Sequence, residues 1–341
     1  MNRTPLRTYG RTKARTLKPR QAALVDVLLP RLAVPVEGEI DLDALFATDP
    51  PPPRGAGVGG GGRELFAPAP ERLRTHPVDR PPSGRSAATS PARGEVGAPP
   101  LVLEIGFGGG EHLVAQAAAH PGARFIGVEP FLNGVASCLR HIEEQLLLPL
   151  DGGGGREAAG GGARAASEER ASRGASGSAG GPHPLSHPAH DSSPLEGERV
   201  RKLNIRLHHG DARDVMARLP EASVDLVYIL FPDPWPKARH HKRRLIQPAF
   251  LDALARVLKP GGEVRFATDW ANYAAWTLEH VVRDVRFAWI AERAEDWRTP
   301  WPGHVTTRYE AKKLGDCAPI WLRFVKLDDR GDEALRPPPA A

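Results

Sequence analysis

LVLEIGFGGGE, residues 101–111, is the stretch that decides the fold. Leu101 to Ile105 form an apolar run that ends in a glycine cluster, and an Ala-rich helical pattern follows over 110–119. A run of this kind marks a strand covered on both faces. Glycines at its end let the backbone turn tightly and approach a ligand closely. The next helix points its unpaired N–H groups at the same spot. Strand, turn and helix in that order open an α/β layer structure.

The alternation continues outward. RFIGVE (124–129) predicts a second strand, and 131–148 a helix with Leu132, Val135, Leu139, Ile142 and Leu146 at three- and four-residue spacing. NIRLHHG (204–210), VDLVYIL (224–230) and EVRFAT (263–268) predict the third to fifth strands. Pro248 opens a helix striped by Phe250, Leu251, Leu254, Val257 and Leu258, and Lys259, Pro260 and Gly261 stop it. A helix over 270–282 follows, then VRFAWI (285–290) and IWLRFVKL (320–327) as the last strand pair. A short helix is expected over 19–30. The fold class is α/β, a mostly parallel seven-stranded sheet with helices on both faces. Ligands on such sheets bind at the carboxyl ends of the strands, where strand order switches.

Composition sets the domain plan. The 36 glycines and 35 prolines among 341 residues collect in stretches with little to bury. Residues 50–100 are a low-complexity insert, PPPPRGAGVGGGG at its start and rich in Pro, Arg, Ser and Ala beyond. Residues 151–199 contain no aromatic, no Ile and no Val. Such segments cannot offset chain entropy by burial, so disorder is expected there and in the tail 331–341. What remains is about 250 residues, enough for one domain. The expected plan is a basic arm and short helix at 1–49, the first insert, and a catalytic domain over 101–330 interrupted by the second.

The formal net charge of +5 is mild, but its distribution is uneven. Arg3, Arg7, Arg11, Lys13, Arg15, Lys18 and Arg20 stand at the start with no acid among them, and RHHKRR (239–244) forms a second cluster. Two basic segments fit a polyanionic partner, and equally a solvated face. Cys138 and Cys317 form no CxxC pattern, so neither a disulfide framework nor a zinc site is expected, in keeping with a reducing compartment. No run of 18 apolar residues is present and no membrane span is expected.

Four places carry chemistry. Glu104 lies two residues before the cluster holding Gly106 and Gly108. The dinucleotide spacing G-x-G-x-x-G fails, because Glu111 stands at its sixth position, and no P-loop Lys-Ser/Thr pair follows. An acid beneath a glycine turn suits a cationic ligand such as S-adenosylmethionine; a turn without a ligand is the alternative. Glu129 ends the second strand, where an acid accepts from ribose hydroxyls. Asp211 ends the third, positioned for an adenine amino group or as a helix N-cap. The three acids at successive strand ends weigh more together than apart. FPDPWPK (231–237) follows the fourth strand. Its prolines fix the loop, holding Asp233 and Lys237 beside Trp235, an arrangement suited to a planar base; a packed structural loop is the alternative.

These motifs resemble the bacterial tRNA (guanine-N7-)-methyltransferase family, a branch of the class I Rossmann-like methyltransferases. The likeness covers 1–46, 101–149 and 201–327, and is most specific in FPDPWPKARHHKRRL (231–245), with FATDW (266–270) and TTRYE (306–310) adding to it. The resemblance implies S-adenosylmethionine as cofactor, held by Glu104, Gly106, Gly108, Glu129, Asp211 and Asp233, with Asp233 also catalytic. It implies that Lys237, Asp269, Thr307, Arg308, Tyr309 and Glu310 contact a guanosine of the tRNA variable loop, conventionally numbered 46. It assigns Arg239, His240, His241, Lys242, Arg243 and Arg244 to RNA. No metal is implied, the location is cytoplasmic, and the assembly is a monomer or homodimer. The basic N-terminal stretch resembles the family's start, which favours an RNA arm over a transit peptide. Rival readings are a class I methyltransferase with another target, and an RNA-binding module without catalysis. An NAD-dependent oxidoreductase fits poorly because the glycine spacing is wrong.

Overall fold

In the computed structural model, residues 16–47, 98–147 and 203–328 are described. The tail, the second insert, most of the first and residues 1–15 of the basic arm lie outside them. The described chain builds one seven-stranded sheet. Strands β1 (Leu101–Ile105), β2 (Arg124–Glu129), β3 (Ile205–His209), β4 (Val224–Leu230), β5 (Leu258–Thr268), β6 (Phe287–Trp289) and β7 (Ile320–Lys326) lie in the order β3-β2-β1-β4-β5-β7-β6. The first five pair in parallel, and β7 is antiparallel to both neighbours. The order reverses between β1 and β4, so their carboxyl ends flank the crevice where ligands bind.

Burial explains why β1 and β4 read so clearly. Every residue of β1 is buried, and all but one of β4. One face packs Leu101, Leu103, Ile126, Val227, Ile229 and Phe266 with helices behind, and the other packs Val102, Phe125, Leu207, Leu226 and Tyr228.

The helices are α1 (Pro19–Val27), α2 (Leu29–Leu32), α3 (Leu42–Leu45), α4 (Glu111–Ala119), α5 (Leu132–Ile142), α6 (Ala212–Arg218), α7 (Pro248–Val257), α8 (Ala271–Val282), α9 (Glu295–Arg298) and α10 (Arg308–Lys312). The helix expected over 19–30 breaks at Leu28, because Pro30 has no N–H to continue the ladder. The one expected over 131–148 stops at Ile142 and widens into a π turn over Glu143–Leu147. The fifth strand begins at Leu258, five residues early, with a register shift at Val224/Leu226.

The N-terminal segment covers the edge strand β3. Ala33 bridges to Leu207, Val34 N–H donates to the Leu207 carbonyl at 2.9 Å, and Arg124 pairs with Asp43 at 2.8 Å. An edge closed in this way is withdrawn from pairing with other chains.

Candidate active site

The glycine turn sits at the carboxyl end of β1. Gly106, Gly108 and Gly110 all have positive φ, at 73°, 56° and 79°. At Gly108 a side chain would also be crowded. A Cβ there would stand 3.1 Å from Cε2 of Tyr309, a residue that follows two hundred positions later. The ring of Tyr309 lies over the turn, and Arg308 ties it down. Arg308 donates to Glu111 Oε1 at 3.1 Å and to Ser137 Oγ at 3.2 Å. The TTRYE segment and the glycine turn therefore form one wall.

Glu129, 7% exposed, ends β2 and accepts from Gly108 N–H and Phe131 N–H, both at 2.8 Å. Burial pushes its pKa up to about 7; the two N–H groups oppose this, and the charge of Asp233 adds to it. Asp233 is thus near enough for its charge to be felt at Glu129. Asp233 itself is exposed, on a loop under constraint. Phe231 and Trp235 have φ of 51° and 42°, a region side-chain-bearing residues occupy only when their surroundings force it.

Glu104, 2% exposed, lies beneath the turn and accepts from Nδ1 of His112 at 2.8 Å. The His112 ring meets Tyr228 edge-on at 4.6 Å and lies 5.7 Å from the ring of His304. His304 in turn donates from Nε2 to Glu310 at 2.8 Å. Burial holds His304 below the usual histidine range, and its hydrogen bond to Glu310 works against that. Glu104, Glu111 and Glu129 all surround buried Cys138, and after burial itself they help push its thiol well above the usual range. A pocket with this many acidic side chains fits a ligand bearing a sulfonium and an ammonium group, and the turn leaves open space at Gly106. At Gly106 a Cβ would meet nothing within 4 Å.

The remaining expected residues divide. Asp211 caps α6, accepting from Arg213 N–H at 3.0 Å, and is ion-paired with the Arg213 side chain, so the N-cap reading is realised. Asp269 accepts from Gly315 N–H at 2.8 Å and pins the loop before β7. Gly315 is there because a Cβ would fall 2.0 Å from the Asp269 carbonyl. Thr307 and Glu310 form a reciprocal capping box on α10. In the basic run, a 3-10 turn over Ala238–Arg243, Arg239 and Lys242 are exposed, as is Lys237 before it, while His240, His241 and Arg243 are half-buried. Arg243 lies over the Trp235 ring at 4.9 Å. Arg244, 3% exposed, faces inward, which does not fit the expectation that it meets RNA. Sequence reasoning missed His112, His304 and Ser137. No group of three or more metal-binding side chains occurs among the described residues.

A mostly parallel sheet with this strand order and an antiparallel β7, and an acid-lined glycine turn at its switch point, is the framework of a methyltransferase. A methyltransferase family described as "Putative methyltransferase" matches residues 98–152 and 193–321. Among relatives, the tRNA (guanine-N(7)-)-methyltransferase of a Caulobacter species is 41% identical over 323 residues, 95% of this chain and 96% of its own length. The protein of that name from Hyphomonas neptunium is 34% identical over 320 residues, 94% of this chain and 99% of its own. One from Rhodopseudomonas palustris is 35% identical over 318 residues, 93% and 84% of the two chains. This chain belongs to the tRNA (guanine-N(7)-)-methyltransferase family.

Proposed function

We propose that this protein transfers the methyl group of S-adenosylmethionine to N7 of a guanine in tRNA, in the variable loop. One observation carries the reading. Glu129, Asp233, Gly108 and Tyr309 come from four distant stretches, and the fold brings them to one crevice at the switch in strand order.

When bound there, S-adenosylmethionine supplies an electrophilic methyl group. Glu104 and Glu129 would hold it at the turn of Gly106 and Gly108, and Asp211 would meet its adenine only on giving up part of its pairing with Arg213. The acceptor nitrogen already carries an in-plane lone pair, and methylation leaves the purine cationic. No strong base is needed to take a proton from the attacking atom. What the protein contributes is alignment of acceptor, methyl and leaving group, together with negative charge beside the base. Asp233 holds the base edge and counters the developing charge. Lys237, Asp269 and the Thr307–Glu310 segment frame the guanosine. Exposed Lys237, Arg239 and Lys242 meet the phosphates. The proposal has the protein act on tRNA in the cytoplasm, as a monomer or homodimer; no helix among the described residues is long and apolar enough to cross a membrane.

The test is nucleoside mass spectrometry of tRNA incubated with the purified protein and S-adenosylmethionine. The expected product is 7-methylguanosine. Asp233→Ala lowers turnover by about 10²-fold or more while tRNA affinity is retained. A different methylated nucleoside, or none, sinks the reading, and full turnover in the variant removes Asp233 from catalysis.

A further inference from the structure

Arg244 ends a run of basic residues, yet its side chain is turned away from solvent. Its Nε donates to the carbonyl of Pro234 at 2.9 Å, and its Nη2 donates to Asn272 Oδ1 at 2.7 Å. The guanidinium lies 4.9 Å from the centre of the Tyr273 ring and 5.1 Å from that of Trp276. Both rings are themselves anchored. The Tyr273 hydroxyl accepts from Leu245 N–H at 3.1 Å, and Trp276 Nε1 donates to the Ile246 carbonyl at 2.8 Å. Asn272, Tyr273 and Trp276 all belong to α8.

Pro234 directly follows Asp233, and its carbonyl is the one the guanidinium grips. On either side of that point, Phe231 and Trp235 hold the left-handed backbone conformation. Such conformations cost on the order of 1–3 kcal/mol each and persist only when neighbours over-determine them. The three prolines of the loop restrict their own φ, but they leave the loop free to swing as a body. A planar fork donating to two fixed acceptors removes that swing. Arg244 is 3% exposed, and its remaining Nη1 is buried without a hydrogen-bond partner, so burial keeps the guanidinium from a phosphate.

We propose that Arg244 is a positioning residue for Asp233, clamping the Pro-Asp-Pro loop to α8, and that it makes no RNA contact. This rests on the methyl-transfer reading only for its kinetic consequence; the clamp itself is a statement about the loop.

The experiment pairs two readouts on the full chain. Hydrogen–deuterium exchange of the peptide spanning 231–237 reports the loop without substrate. Steady-state methylation with tRNA at several salt concentrations reports kcat, KM and the salt slope. Arg244→Gln is expected to speed exchange over 231–237 and to lower kcat by about 10²-fold, the cost of a misplaced group near 1 Å. KM for tRNA and the salt slope stay as in the unmodified protein. Arg244→Lys keeps the charge but loses the fork, so kcat stays low. Asn272→Ala, which removes one acceptor of the fork from an exposed residue, shows the same pattern more weakly. The proposal is overturned by unchanged exchange over 231–237 in folded Arg244→Gln, by recovery of kcat in Arg244→Lys, or by a shallower salt slope in either. Should Arg244→Gln fail to fold, unchanged exchange and kcat in Asn272→Ala overturn it. If the unmodified protein makes no 7-methylguanosine while the exchange responds as stated, the functional reading falls and the clamp stands.

Discussion

Glu129 is held between opposed influences. Burial raises its pKa to about 7 against the pull of two backbone N–H donors. Near neutrality the ligand-free carboxyl therefore carries a proton part of the time, and the proposed role of Glu129 in holding the donor favours the ionised form, the stronger acceptor. Affinity for S-adenosylhomocysteine is expected to weaken as pH falls through 7 and to level off by about pH 8, and Glu129→Gln flattens that profile; calorimetry across the range checks it. The stability effect has the opposite sense. A folded pKa above the unfolded value of 4.5 means the folded state binds more protons between the two, so stability is lost as pH rises through that window. Ligand-free Glu129→Gln should melt higher than the parent at pH 8 and no higher at pH 4. Glu129 was readable from its place at a strand end. His112 and Arg244 were not, because what defines them lies 8, 10 and 28 residues away and reveals itself only once the chain has folded.

Helix α10 is a short element that nothing in its own length would hold. Five residues cannot repay the cost of nucleating a helix. Its capping box, the His304–Glu310 hydrogen bond and the Arg308 contacts to Glu111 and Ser137 hold it instead. Thr307→Ala is expected to cost about 1 kcal/mol locally, seen as faster amide exchange over 307–312. It should raise KM for tRNA several-fold while the melting temperature of the sheet barely moves. No change in either exchange or KM would mean that α10 stands without its cap. The strands were legible because each buried one reads as an unbroken apolar run between turn residues. The small helices were not. The Thr-x-x-Glu spacing of the capping box was present at 307–310, but no apolar stripe follows it to announce a helix. Likewise Pro30 was on view, and its effect was to divide a helix expected whole.

Across the whole molecule, charge and topology set what the protein meets and how it assembles. Exposed Arg239 and Lys242 follow the Pro-Asp-Pro loop in sequence. Each phosphate contact contributes roughly −0.7 to −0.9 to the log–log salt slope of tRNA binding. Arg239→Ala with Lys242→Ala should make that slope shallower by between one and two, measured by filter binding, and an unaltered slope places the RNA surface elsewhere. The alternating strands and helices made the sheet legible, but the placing of β7 between β5 and β6 was not, since pattern reveals strands and not their neighbours. That placement has a temporal consequence. Because β7 runs against β5, with Ile320 opposite Thr268, the residues just before it are delivered to the crevice. A chain emerging from the ribosome forms β1 to β5 with one flank of β5 still open, and Tyr309 reaches the glycine turn only after those strands have been made. Nascent chains released before β7 would thus present a bare, aggregation-prone strand and an unfinished pocket together, so that competence to bind the methyl donor and protection from sticking arrive in the same late step.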